Sequence, residues 1–300
     1  MNKSLLALSA LTAALVAGGV AHADTLAKIK ETGAISLGVR ESSGALSFTL
    51  GDGKFAGFHI EVCQRALADI QKALGMSKLD VKYQVVTSQN RQPLVQNGTV
   101  DIECGSTTNN ANRQRDVAFA VTTFVEEVRM AVKANSGITS VNQLNGKKVA
   151  TTTGTTSVQH LRRHERANGV NFDEVFGKDH ADSFLLLESG RADAFVMDGQ
   201  ILAGNIAKAK SPADFRIAGE VLSVEPIAIM FRKDDPAFKK AVDDSIIGMI
   251  KSGELARLYD KWFMQPIPPA NTALRLPASD ATKAAWAEPN DRPMEAYAKR

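Results

Sequence analysis

Only two of the 300 residues are cysteine, and 6% are aromatic. The 36 basic and 33 acidic side chains leave a formal charge of just +3. Two cysteines define no disulfide framework, and with no C-x-x-C pair and scattered histidines no metal site or cofactor is expected. A charge of +3 spread over so long a chain makes no basic field, which argues against nucleic acid as a partner. No internal repeat or low-complexity tract occurs, and the composition is that of an ordinary globular protein, which excludes a disordered chain, a collagen-like fibre or a coiled coil. Catalytic signatures are missing too: there is no G-x-S-x-G elbow, phosphate loop, G-x-G-x-x-G or H-E-x-x-H. Gly146-Lys147-Lys148 reads as a turn entering a strand, and Asn97-Gly98-Thr99 as a turn.

The one long apolar run is at the start. Lys3 precedes Leu5 to Val20, and Ala21-His22-Ala23 makes an A-x-A cleavage site. This is the pattern of a secretory signal peptide cleaved after Ala23, and the run falls short of the roughly 20 residues of a spanning helix. An exported protein of about two domains is expected.

The mature chain alternates strands and helices. Ile35 to Val39, Leu79 to Val86, Val100 to Cys104, Lys148 to Ala150 and Ala194 to Met197 read as strands. Phe58 to Leu74, a short segment opened by Pro93, and Ser157 to Asn168 closed by Gly169 read as helices. Ala241 to Trp262 reads as a helical region interrupted at Gly253, and Pro266 to Arg300 as a surface tail with a short helix at Thr282 to Ala287. This order predicts α/β layers with mostly parallel sheets. Cys63 falls in a predicted helix and Cys104 in a predicted strand; in an exported protein they form either one bridge or two packed thiols.

Open α/β sheets bind ligands at the carboxyl ends of their strands. Polar residues gather there. Arg40 follows the first strand, Ser88-Gln89-Asn90-Arg91 the second, Ser106-Thr107-Thr108 the third with Arg113 soon after, and Asp198 the last. Gly154-Thr155-Thr156-Ser157 stands at a helix N-terminus, where free N–H groups favour a carboxylate. Singly, each has a plain alternative: a solvated arginine, an N-cap, or, for His180, an exposed loop histidine. Together, three arginines, a hydroxyl cluster and one aspartate predict a ligand with two negative groups and one positive group.

Several stretches carry a resemblance: Arg40-Glu41-Ser42-Ser43, Thr87 to Arg91, Glu103 to Asn110, Gly154 to Ser157, Asp179 to Phe184, Leu187 to Ala192 and Pro266 to Pro269. From Leu26 to about Asn290 the chain resembles the type 2 periplasmic solute-binding proteins of polar amino-acid ABC transporters, in particular their glutamate/aspartate subgroup. The resemblance implies a two-lobed α/β receptor, each lobe a mixed, mostly parallel sheet flanked by helices. The first lobe would comprise 24–122 and 228–300, the second 128–222, with hinges at 123–127 and 223–227. It further implies that Thr108, Arg113 and Thr156 hold an α-carboxylate, that Asp198 and Ser106 take the ammonium, and that Arg40, Ser88, Arg91 and His180 surround a side-chain carboxylate. A periplasmic monomer that delivers glutamate or aspartate to a membrane permease, without enzymatic activity, is the expectation. A cyclohexadienyl-type dehydratase and a glutamine or asparagine receptor of the same fold are the alternatives. Three departures from the family pattern stand out. His59 follows Gly57-Phe58 and Glu61 replaces a commoner aspartate, both expected to matter little; Pro226-Ile227-Ala228 replaces Tyr-Gly and bears on lobe movement.

Overall fold

A computed structural model describes residues 24–297; the signal peptide expected at 1–23 lies outside the described residues. The chain opens with α1 (Thr25–Thr32), β1 (Ala34–Val39), a small meander of β2 (Ser42–Ser43), β3 (Ser47–Gly51) and β4 (Lys54–Ala56), then α2 (Phe58–Ala73), β5 (Asp80–Val85), α3 (Arg91–Gln96), β6 (Ile102–Glu103) and β7 (Val117–Phe119). There follow β8 (Phe124–Lys133), β9 (Lys148–Thr152), α4 (Thr156–Asn168), β10 (Asp173–Gly177), α5 (His180–Glu188), β11 (Ala194–Asp198), α6 (Gly199–Lys208) and β12 (Phe215–Ile227). The chain returns through β13 (Met230–Arg232), α7 (Pro236–Lys251), α8 (Glu254–Tyr259), the hairpin β14 (Pro266–Ile267) and β15 (Thr272–Ala273), and α9 (Asp280–Ala287).

Two five-stranded sheets result, ordered β5-β1-β6-β13-β7 and β10-β9-β11-β8-β12. In the first, β1 pairs in parallel with β5 and β6, while β13 runs antiparallel to β6 and β7. In the second, β9 pairs in parallel with β10 and β11, while β8 runs antiparallel to β11 and β12. Both sheets are mixed, and parallel pairing makes up half of each rather than most.

Each sheet has its own core. In α2 the apolar positions Ile60, Cys63, Leu67 and Ile70 recur at helical spacing and are buried. They join Phe48, Phe58, Phe124, Tyr259 and Phe263 in the core of the first lobe. Burial of each large apolar side chain contributes about 1.5–3 kcal/mol. The second lobe packs Val128, Leu161 and Val196 on one sheet face and Phe184, Phe195 and Leu202 on the other. Cys63 and Cys104 are joined as a disulfide, which decides between the two alternatives left by the sequence.

Several boundaries differ from expectation. The strand expected at 100–104 shortens to Ile102–Glu103. The helix expected from Ala241 begins at Pro236, because Asp235 accepts from the Phe238 N–H and proline suits a first turn. Gly253, at φ +71, ends that run as its missing side chain allows.

The tail is not merely laid over the surface. Trp286 Nε1 donates to the Thr123 carbonyl at 2.8 Å, Val125 N to Thr282 Oγ1 at 3.0 Å, and Thr122 N to the Asn290 carbonyl at 2.8 Å. These bonds fasten residues 282–290 to the segment where the chain passes between lobes. Among the described residues no helix is long and apolar enough to cross a membrane.

Candidate functional site

The nine residues singled out in the sequence converge between the two sheets, and all are buried. Six come from the first lobe. Arg40 leaves β1, Ser88 follows β5, Arg91 opens α3, Ser106 and Thr108 follow β6, and Arg113 precedes β7. Three come from the second: Thr156 opens α4, His180 opens α5, and Asp198 ends β11. Each sits at the carboxyl end of a strand or the start of a helix, where the topology gathers loops from both sheets.

One end of the cleft is cationic. Arg40 Nη2 donates to Ser88 Oγ at 3.0 Å and to His180 Nε2 at 3.2 Å, and also meets Asp179 across the lobes. His180 therefore carries its proton on Nδ1, which donates to Thr152 Oγ1 at 2.9 Å. Burial, then the neighbouring Arg40, pushes the His180 pKa down to about 3, so the ring is neutral. Arg91 is pushed down to about 9 by burial first and then by Arg113. Nε and Nη1 of both Arg40 and Arg91 are buried without a protein partner. Two guanidinium forks with unused N–H groups suit a carboxylate.

At the other end Arg113 Nη1 donates to the Thr108 carbonyl at 2.8 Å and its Nη2 to the Gly154 carbonyl at 3.4 Å, spanning the lobes. Thr108 and Thr156 hydroxyls lie 3.5 Å apart. Asp198 has a buried Oδ1 without partner. Burial, followed by repulsion from Glu225, pushes its carboxyl up, against the pull of Arg91, Arg113 and Arg40. A cationic group reaching that oxygen would restore its ionised form. Ser106 Oγ donates to Ser43 Oγ at 3.0 Å.

Other buried polar groups escaped the sequence reading. Glu225, on β12, accepts from Thr108 Oγ1 at 2.6 Å, Thr156 Oγ1 at 2.8 Å and His160 Nε2 at 2.5 Å. Glu126 accepts from the Gln200 N–H at the start of α6 (3.4 Å), and Gln200 Oε1 accepts from Ala45 N at 3.0 Å. Asp179 also accepts from Ser42 Oγ at 2.7 Å. Only the i, i+4 spacing of Thr156 and His160 hinted at any of these contacts.

His59, a departure from the family pattern expected to put little in doubt, has a structural place of its own. It is buried, its Nδ1 donates to the Gly105 carbonyl at 2.5 Å, and its Nε2 lies 2.7 Å from Thr123 Oγ1. It thus ties the Ser106–Thr108 loop to the start of β8. Burial pushes its pKa down to about 4, against the bond to Gly105.

Among the described residues no group of three or more His, Cys, Asp or Glu is placed to hold a metal ion. A cavity of about 410 Å³ lies elsewhere, against α9 and the tail, and alanines make up half its lining. The convergent charges are in the cleft, so the chemistry belongs there.

The chain is similar to known proteins along most of their length. The chain is 45% identical to an L-glutamate/L-aspartate-binding protein of Pseudomonas aeruginosa, over 96% of each chain. It is 42% identical to a glutamate/aspartate import solute-binding protein of Escherichia coli K12, over 95% of this chain and 97% of the relative. Among solved structures, a mutant arginine-binding protein from T. maritima matches with a TM-score of 0.71 and 25% identity, covering 80% of this chain and 99% of that one. An ancestral amino acid-binding protein, a precursor of cyclohexadienyl dehydratase, matches with a TM-score of 0.69 and 27% identity, covering 80% and 99%. The family profile spans residues 35–265, from β1 to just past α8, and with it the whole cleft: the chain belongs to the bacterial extracellular solute-binding proteins, family 3.

Proposed function

We propose that this protein is the periplasmic receptor of an ABC importer and binds L-glutamate or L-aspartate between its lobes. The carrying observation is the charge layout: Arg40 beside Ser88 and His180, Arg113 beside Thr108, Arg91 buried with both as charged neighbours, and the unpartnered Asp198 oxygen. Such a cleft matches two carboxylates and one ammonium. Charge-assisted hydrogen bonds contribute about 1.5–3 kcal/mol each, so a handful exceeds the ordering cost of binding. Residues from both lobes touch one ligand, which favours the closed form. In this reading 123–127 and 223–227 act as hinges between lobes 24–122 plus 228–300 and 128–222. The receptor is a monomer, released after cleavage at Ala23, and the closed shape is what a permease recognises.

Calorimetric titration against glutamate, aspartate, glutamine and asparagine tests the proposal. Tight binding of the two acids alone is expected; preference for an amide would overturn it. A dehydratase acting on cyclohexadienyl acids is the second reading, favoured by one observation, the raised pKa of the buried Asp198 carboxyl. We place the protein among non-enzymes because an ammonium partner accounts for that carboxyl. Turnover of arogenate or prephenate would reverse this choice.

A further inference from the structure

Aspartate is among the residues that most often cap a helix, its side-chain oxygen accepting from the N–H of the second or third helical residue. Asp198 holds that place before α6, with a non-helical backbone at φ −54° and ψ 132°, yet its side chain makes no cap bond. The N–H of the second helical residue, Gln200, goes instead to Oε2 of Glu126 at 3.4 Å. Glu126 comes from another strand. β8 pairs antiparallel with β11, Asp198 opposite Val128, so residue 126 lies past the end of β11, beside the first turn of α6. Its Oε1 is anchored by the Glu127 N–H at 2.8 Å, and the residue is buried.

We infer that Glu126 is a positioning residue: it takes the helix end that Asp198 would otherwise cap, and so leaves the Asp198 carboxyl turned to the cleft for the ligand's ammonium. This rests on the amino-acid-receptor reading above and keeps the role of Asp198 in it. What it adds is the reason that Asp198 is free. Its Oδ1 is buried without a partner although the N-terminus of α6, a ready-made place for an anion, follows it directly. A carboxylate left beside unclaimed N–H groups would turn to them.

Two buried carboxyls thus compete for one helix end. Burial, then the neighbouring Asp198, pushes the Glu126 carboxyl well up, and the bonds from the Glu127 and Gln200 N–H groups pull it back. Glu225, opposite Glu126 on β12, adds a further push. Among the described residues those two backbone bonds are the only ones Glu126 makes, so its placement serves the helix end and not a side-chain pair.

The test reads Asp198 directly and then through the ligand. In a crystal structure of ligand-free Glu126→Val protein, the Asp198 carboxylate should have swung onto the Gln200 N–H. A carboxylate still facing the cleft would overturn the inference, whatever the protein binds; Glu126→Leu takes the place of valine if the smaller side chain does not fold. In the ligand arm, glutamate is compared by calorimetry with glutarate, which has both carboxylates and no ammonium. Glu126→Val should weaken glutamate about tenfold or more and leave glutarate within about twofold. Equal loss for both would mean that Glu126 only holds the fold together, and the inference fails. Glu126→Gln, similar in size and still carrying one acceptor oxygen, should keep the wild-type ratio of the two affinities. A ratio as low as that of the valine variant would make charge the cause and not the cap, and would also overturn it. Wild-type protein that binds neither acid would sink the receptor reading instead, while the ligand-free structures still decide the role of Glu126.

Discussion

At the scale of single residues, the cleft sets binding against stability. Arg91 is buried beside two like charges, Arg113 and Arg40, and is pushed well below its ordinary range. Its removal should relieve the folded state while stripping the ligand of a carboxylate partner. Arg91→Ala is expected to weaken glutamate and aspartate by about 3–5 kcal/mol, more than a hundredfold, in calorimetry. Its thermal midpoint should be equal to or above that of wild type. A fallen midpoint with intact affinity would contradict both halves. His59 and His180 give a second expectation. Their folded pKa values, about 4 and about 3, lie below the ordinary 6.5, so on acidification the unfolded chain takes up protons that the folded one refuses. The stability present above pH 6.5 is lost as pH falls toward 4, at about 1.4 kcal/mol per pH unit for each ring. Urea denaturation of His59→Gln across that window should show a shallower acid slope.

At the scale of elements, what was legible followed local rules. The stripe in α2, the stop at Gly169 and the break at Gly253 depend on spacing and on glycine at positive φ, which neighbouring residues reveal. Arg40, Ser88, Arg91, Ser106, Thr108 and Asp198 were legible as cleft candidates because strand ends gather at one edge whatever the loop lengths. Thr156 stood out at a helix N-terminus and Arg113 soon after a strand end, and His180 entered only through the resemblance. Glu225, Glu126 and His160 were not legible, because their meaning lies in pairings between distant segments. A lone glutamate in β12 looks like any exposed strand residue. The Cys63–Cys104 bridge was undecidable for the same reason: its geometry exists only once α2 lies across β6. It closes a segment of 41 residues and fixes the strand from which Ser106 and Thr108 emerge. Replacing both cysteines by alanine should cost about 4 kcal/mol on the chain-entropy account. Chemical denaturation measures that loss, and glutamate affinity should fall with it if the loop loosens. An unaltered denaturation midpoint would show that packing alone holds α2 to β6.

At the scale of the whole molecule, the lobes meet beyond the charged cleft as well. Gly44 in the first lobe approaches Gly204 of α6 so closely that a Cβ on Gly204 would stand 2.9 Å from the Gly44 Cα. Gln200 bonds the same loop, and Asp179 reaches Ser42 and Arg40. These contacts exist only when the lobes are together. Gly204→Ala should hold them apart, raising the radius of gyration in small-angle scattering at saturating glutamate and weakening binding several-fold. A scattering curve identical to wild type would show that the loop yields instead. The connectivity also orders events during biosynthesis. The second sheet is made wholly from residues 148–227 and the strand β8, a single uninterrupted stretch. The first sheet is incomplete without β13, inserted between β6 and β7, and the late α9 fastens the passage between lobes. A nascent chain emerging vectorially can therefore finish its middle portion while its opening hundred residues still await their missing strand. Competence to capture a solute must wait until β13 has followed that middle portion out and completed the first sheet.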